Sequence, residues 1–156
     1  MNILVTVGTS PFDALITAVD QQLSNNEHTI TCQIASGEYQ PSAHPFIRLS
    51  DQFEDLVDQA DLVITHGGAA TVFELLEAGK VVVLVPNLAR IDRHQQDLAQ
   101  FVESQGYACV CWSLDKLAQC VDRCTTQSFN RYHKEAFFMA DDLLNYFAVA
   151  GDTKAS

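Results

Sequence analysis

Apolar residues along this chain come in bursts that alternate between two spacings. Ile3 to Val7, Thr29 to Ala35, Phe46 to Leu49, Leu62 to Thr65, Val81 to Val85 and Tyr107 to Cys111 are short, largely apolar runs rich in β-branched residues. Such runs predict strands, and the most apolar of them predict strands buried on both faces. Between them the spacing changes to threes and fours, as on one face of a helix. Pro11 precedes a helix carrying Phe12, Leu15, Ile16, Val19 and Leu23, which Asn25-Asn26 ends. Ser50 or Asp51 can cap a helix carrying Phe53, Leu56 and Val57. Ala69 to Ala78 reads as a helix closed by Gly79, with Val72, Leu75 and Leu76 toward a sheet. A helix from Asp92 to near Gly106 places Leu98, Phe101 and Val102 inward. Two more follow, about Leu114 to Cys124 and Phe129 to Val149, and the small polar stretch Gly151 to Ser156 is expected to be a disordered tail.

Strand and helix alternate throughout. That order predicts an α/β fold: one doubly wound parallel sheet with helices on both faces, in a single Rossmann-like domain over residues 1–150. Such sheets bind ligands at the carboxyl ends of their strands. Three loops fall at that edge: Gly8 to Pro11, Thr65 to Gly68, and Pro86 to Ile91 with the helix start beyond it.

Composition narrows the class of ligand. Hydrophobic residues make up 47% of the 156 residues, enough for a core. The net charge of −11 and the pI near 4.6 argue against a nucleic-acid partner, which calls for a basic face. They leave an anionic ligand open, because a helix start and a few local cations can hold a phosphate. Met1 leads directly into a strand without a signal-peptide pattern. No apolar run approaches the ~18 residues of a membrane span. A cytoplasmic protein is expected. Its five cysteines form no C-x-x-C pair, so they read as buried reduced thiols and no metal site is expected.

The candidate chemistry lies in the loops. His66-Gly67-Gly68 runs from a strand into a helix, where free N–H groups and the positive end of the helix dipole converge. The Thr71 hydroxyl, in the first turn, can donate to a phosphate there. Glu74 shares Thr71's side of the helix, about 4.5 Å further along the axis, and a carboxylate at that distance suits a ribose diol. Diphosphate and ribose one turn apart describe a nucleotide; an ordinary glycine turn with Glu74 in solvent is the alternative. Gly8, Thr9 and Ser10 can approach the same phosphates or simply cap a helix; the loop is not G-x-G-x-x-G. Arg90, Asp92, Arg93, His94 and Gln95 form a polar cluster suited to a sugar, or a solvated helix start.

The stretch from Ala60 to Glu74 (ADLVITHGGAATVFE), with Val85-Pro86 and Asp92-Arg93-His94-Gln95, resembles the donor-binding half of GT-B glycosyltransferases. The type most similar is the C-terminal domain of MurG-like N-acetylglucosaminyltransferases and its free-standing versions, which the opening Val5-Thr6-Val7-Gly8-Thr9 resembles most. Those versions include the cytosolic subunit of the two-part dolichol-linked N-acetylglucosaminyltransferase and the small subunits of bacterial exopolysaccharide transferase pairs. The resemblance implies a UDP-sugar donor and no further cofactor. It implies that Gly8, Thr9, Ser10, His66, Gly67, Gly68 and Thr71 meet the diphosphate and Glu74 the ribose. Leu49, Ser50 and Asp51 would hold uracil, largely by backbone. Arg93, His94 and Gln95 lie where the sugar is held. His94 stands where MurG-like enzymes have glutamine, so the sugar's identity stays open; His66 stands where MurG has arginine, a position where histidine is common in other GT-B members, and it can still donate to a phosphate.

The same resemblance implies a missing half. A complete GT-B enzyme has a second domain that binds the acceptor and is expected to supply the base. No candidate base is visible here. The expectation is a donor-binding subunit of a two-chain inverting transferase, whose partner is a membrane-anchored acceptor-domain subunit. That partner would bring the chain to the inner face of the membrane and to a lipid-linked or polysaccharide-precursor acceptor. Phe129, Tyr132, Ala136, Ala140, Leu143 and Phe147 form a stripe on the last expected helix, with Phe137, Phe138 and Leu144 beyond it. That surplus suggests a docking surface. A stand-alone nucleotide-sugar binding module, as a homodimer or not, is the alternative; a third reading is an epimerase or hydrolase fragment, which shares the fold but needs catalytic carboxylates that the sequence pattern does not place.

Overall fold

The computed structural model describes residues 1–25 and 27–134. Its elements run β1 (Asn2–Thr6), α1 (Asp13–Gln22), β2 (Thr29–Gln33), β3 (Phe46–Ile47), α2 (Phe53–Gln59), β4 (Leu62–Thr65), α3 (Ala69–Glu77), β5 (Val81–Leu84), α4 (His94–Ser104), β6 (Cys109–Val110), a 3₁₀ turn (Leu114–Lys116) and α5 (Leu117–Thr126). The six strands form one sheet in the order β3-β2-β1-β4-β5-β6, with every pair parallel. The expected doubly wound α/β architecture is therefore present. The direction of winding reverses between β1 and β4, the place where such sheets open a ligand crevice.

The sheet separates two apolar layers. Ile3, Val5, Leu62, Ile64 and Val83 face α1 and α5, where they meet Leu15, Ile16, Val19, Leu117 and Val121. Leu4, Val63, Val82 and Leu84 point the other way, toward α2, α3 and α4, against Val57, Val72, Leu75, Leu76, Ala99 and Val102. This alternation within single strands is why the runs read as continuously apolar: both faces are buried. Fully burying a leucine or isoleucine is worth about 1.5–3 kcal/mol, so these two layers dominate stability. All five cysteines are buried and free. Among the described residues no helix is long and apolar enough to cross a membrane.

Three expectations change. Phe101 is 45% exposed, not inward; the inward positions on α4 are Gln95, Ala99 and Val102. Phe101 instead makes an edge contact with Tyr107, with ring centroids 6.2 Å apart. The helix expected from Phe129 does not begin there, because residues 127–134 are not helical. This stretch is a strap: the Asn130 N–H donates to the Gly106 carbonyl (2.8 Å) and its side-chain amide to the Gln105 carbonyl (2.8 Å). Tyr132 packs on Phe73 and Tyr107 at 5.3 Å each. Its aromatic residues therefore fasten the strap to α3 and to the turn before β6. The rest of the expected C-terminal helix and the tail lie outside the described residues. The third difference is small: α4 starts at His94, not Asp92, and Asp92 accepts a bond from the Arg90 guanidinium (3.0 Å).

Candidate functional site

Each of the three central strands ends in a buried polar residue at the carboxyl edge: Gln33 on β2, Thr6 on β1 and Thr65 on β4. The register places Thr6 opposite both Gln33 and Thr65, so the three form a row across the sheet. Polar groups this deep require partners. The Thr6 hydroxyl donates to Gln33 Oε1 (2.7 Å) and accepts the Gly8 N–H (3.2 Å). Gln33 Nε2 donates to the carbonyls of Gly8 (2.9 Å) and Arg48 (2.6 Å). Thr65 Oγ1 has no partner among the described residues.

Above this row lies an open cleft of ≈ 260 Å³. Gly8 and Thr9 enter it from the first loop, Leu49, Ser50 and Asp51 from the segment after β3, and Thr71 and Glu74 from α3. These seven belong to the groups expected at diphosphate, uracil and ribose, and the fold brings them to one place. Thr6, Gln33 and Phe53 also line the cleft. A second groove between α2 and α3 shares Phe53, Thr71 and Glu74 with it, so Glu74 stands where the two meet. Ser50 Oγ accepts the Gln52 N–H (3.0 Å), which shapes the entry to α2.

The start of α3 is prepared for an anion. Its N-cap is Gly68, no side chain caps it, and no acidic residue lies in its first turn. Its first N–H groups therefore face outward with the dipole's positive end unopposed. The imidazole of His66 is packed between the two glycine loops. A Cβ on Gly8 would lie 3.1 Å from His66 Cε1, and one on Gly68 would lie 3.2 Å from both Cε1 and Nε2. Gly8 also has φ +61°, a conformation that side chains disfavour. Burial lowers the pKa of His66, and the nearby Arg90 charge adds to this, while the Thr6 backbone opposes both. The ring is thus held neutral, with one N–H to donate.

The sugar-side residues separate. Arg93 and His94 are exposed at the start of α4 and do not line the cleft. Gln95 is buried, and its Oε1 accepts the N–H groups of Gly67 (3.3 Å) and Asn87 (2.8 Å). Two donors converging on one atom fix that end of the amide as oxygen and leave the NH₂ end as a donor. Gln95 therefore ties the second loop to the third. Ser10 is half-buried at the end of its loop, outside the cleft's lining. Sequence reasoning missed Thr6 and Gln33. The available signal was a polar residue closing each of two apolar strands. Among the described residues no three potential metal ligands cluster.

A doubly wound sheet with glycine turns and an uncapped helix start at its switch point makes a Rossmann-like domain, and its structural neighbours are of the GT-B C-terminal type. The chain belongs to the family of glycosyltransferase family 28 C-terminal domains, which it matches over residues 2–142. It is 34% identical over 122 residues to the human UDP-N-acetylglucosamine transferase subunit ALG13, covering 70% of this chain and 11% of that protein. It is 31% identical over 115 residues to a Streptococcus thermophilus UDP-N-acetylglucosamine--N-acetylmuramyl-(pentapeptide) pyrophosphoryl-undecaprenol N-acetylglucosamine transferase, covering 68% of this chain and 32% of that one. The chain thus spans a minor part of both relatives. Among solved structures, Acinetobacter baumannii MurG superposes with a TM-score of 0.65 at 25% identity, over 80% of this chain and 41% of MurG. An NMR structure of ALG13 superposes with a TM-score of 0.61 at 16% identity, over 89% and 93% of the two chains.

Proposed function

We propose that this chain is the donor-binding subunit of a two-chain inverting glycosyltransferase that uses a UDP-sugar, with UDP-N-acetylglucosamine the first candidate. The observation that carries the reading is the single cleft lined by Gly8, Thr9, Leu49, Ser50, Asp51, Thr71 and Glu74 beside the uncapped start of α3. Family membership and the names of the relatives support it.

In this reading the diphosphate lies against the first turn of α3 and the Gly8 loop, with the His66 N–H as a further donor. Glu74 accepts the ribose hydroxyls, and the backbone of residues 49–51 receives the base. Gln95, held by Gly67 and Asn87, offers its amide NH₂ toward the sugar. Transfer forms a bond from the acceptor hydroxyl to the anomeric carbon on the face opposite UDP. The bond from that carbon to the β-phosphate oxygen breaks, and UDP departs with the electron pair. The acceptor's proton goes to a base on the partner. The helix start favours the charge growing on UDP, and fixed dipoles need no reorganisation at that moment.

The partner in this reading is a membrane-anchored acceptor-domain subunit, so the chain works on the cytoplasmic side of a membrane through that partner. The test is a transfer assay. The purified 156-residue chain is expected to bind UDP-sugar weakly and transfer nothing until the acceptor subunit is added. Robust transfer by the chain alone contradicts the two-chain reading.

A further inference from the structure

Gln33 is 3% exposed yet lines the cleft, and its side chain bonds to both walls. Its Nε2 donates to the Gly8 carbonyl on one side and the Arg48 carbonyl on the other, while Oε1 accepts from Thr6. Both amide protons are used, and the Thr6 hydroxyl fixes which end is oxygen. The Gly8 carbonyl begins the loop assigned to the diphosphate. The Arg48 carbonyl, which also accepts the Ala35 N–H (3.0 Å), immediately precedes the segment assigned to the base. A single buried amide thus bridges the two backbone segments that the base and the diphosphate of one nucleotide would touch. A filler of the core would not need this pattern, since the neighbouring apolar residues already close both layers.

We propose that Gln33 is a positioning residue of the nucleotide cleft: its amide sets the spacing between the Gly8 loop and the Arg48–Asp51 segment, so that base and diphosphate are held together. The proposal rests on the nucleotide reading above and names what makes the two subsites act as one. A ligand that spans both segments depends on the bridge, whereas one that touches only the diphosphate loop does not.

The test is NMR titration of the full chain with UDP and with inorganic pyrophosphate, for wild type, Gln33→Met and Gln33→Glu. Gln33→Met removes both donations, and UDP binding is expected to weaken about tenfold or more. Pyrophosphate binding should stay within about twofold of wild type, as for an uncoupled site. In Gln33→Glu a carboxylate donates to neither carbonyl, but a proton restores one donation, and burial favours that proton. Its UDP affinity, taken relative to wild type at each pH, should be poor near pH 8 and recover near pH 5.5. If Gln33→Met does not fold, the pH pair for Gln33→Glu decides. Unchanged UDP affinity, equal weakening toward both probes, or no recovery at low pH overturns the proposal. A wild-type chain that binds pyrophosphate but not UDP removes the nucleotide reading itself, and the proposal with it.

Discussion

The backbone N–H of Gly67 donates to Oε1 of Gln95 at 3.3 Å, so the turn that starts α3 is fixed by a side chain 28 positions further along. The two residues are also in van der Waals contact. A Cβ on Gly67 would lie 2.6 Å from Gln95 Cβ and 2.9 Å from its Cα. Gly67→Ala is therefore expected to force backbone apart and cost about 1–3 kcal/mol. Gln95→Ala keeps the Cα and Cβ that make this contact, but leaves the N–H groups of Gly67 and Asn87 without their acceptor, at a cost of about 1–3 kcal/mol. Pushing Gly67 away from Gln95 also breaks the bond between them, so chemical denaturation should show the double variant losing less than the sum of the singles; strict additivity would mean that Gly67→Ala leaves that bond intact.

Asp20 is expected to make stability fall in acid. It is 7% exposed and accepts bonds from the Ser42 and Ala43 N–H groups and from the Tyr39 and Ser42 hydroxyls, which pin the loop before β3 onto α1. Burial works to raise its pKa, but these bonds outweigh it and hold the group at about 2 against an ordinary 3.8. Because the folded value is depressed, the stabilisation is present above the unfolded value and is lost as pH falls from 3.8 toward about 2. Asp20→Asn is expected to destabilise at neutral pH by about 1–3 kcal/mol. The gap between wild type and variant should close across that acid window. A gap independent of pH would show that the carboxylate charge is not what the loop needs.

His66 offers a test that needs no partner. Its lowered pKa means the folded chain favours the neutral ring, so this contribution to stability is lost on acidification. A diphosphate beside the ring favours the charged form. NMR titration of the His66 ring should give a midpoint below 6.5 in the free chain and an upward move on adding UDP. No movement with saturating UDP would place the diphosphate elsewhere.

Much of this was legible in the sequence, for a physical reason. Strands buried on both faces read as apolar runs, and Val72, Leu75 and Leu76 at helical spacing fixed which side of α3 faces the sheet and which carries Thr71 and Glu74. What sequence could not show depends on contacts distant along the chain. Phe101 was placed inward beside Val102, but the inward line of α4 runs from Gln95 through Ala99 to Val102, and Gln95 is held inward by Gly67 and Asn87 on other loops. Residues 129–134 carry apolar spacing compatible with a helix, yet the bonds of Asn130 to Gly106 and Gln105 and the stacking of Tyr132 hold them as a strap. Gln33 looked like an ordinary strand residue because its role appears only when β1 and the segment after β3 flank β2.

In the proposed function one nucleoside diphosphate spans this cleft with its ribose on Glu74. Glu74 is exposed, so Glu74→Ala should leave folding within about 0.5 kcal/mol of wild type. Calorimetry of UDP and UDP-N-acetylglucosamine against wild type and Glu74→Ala tests the claim most directly. Wild type is expected to bind both, and Glu74→Ala to lose about 1.5–3 kcal/mol, the range for a hydrogen bond to a charged group. Binding of neither ligand by wild type, or equal binding by the variant, would contradict it.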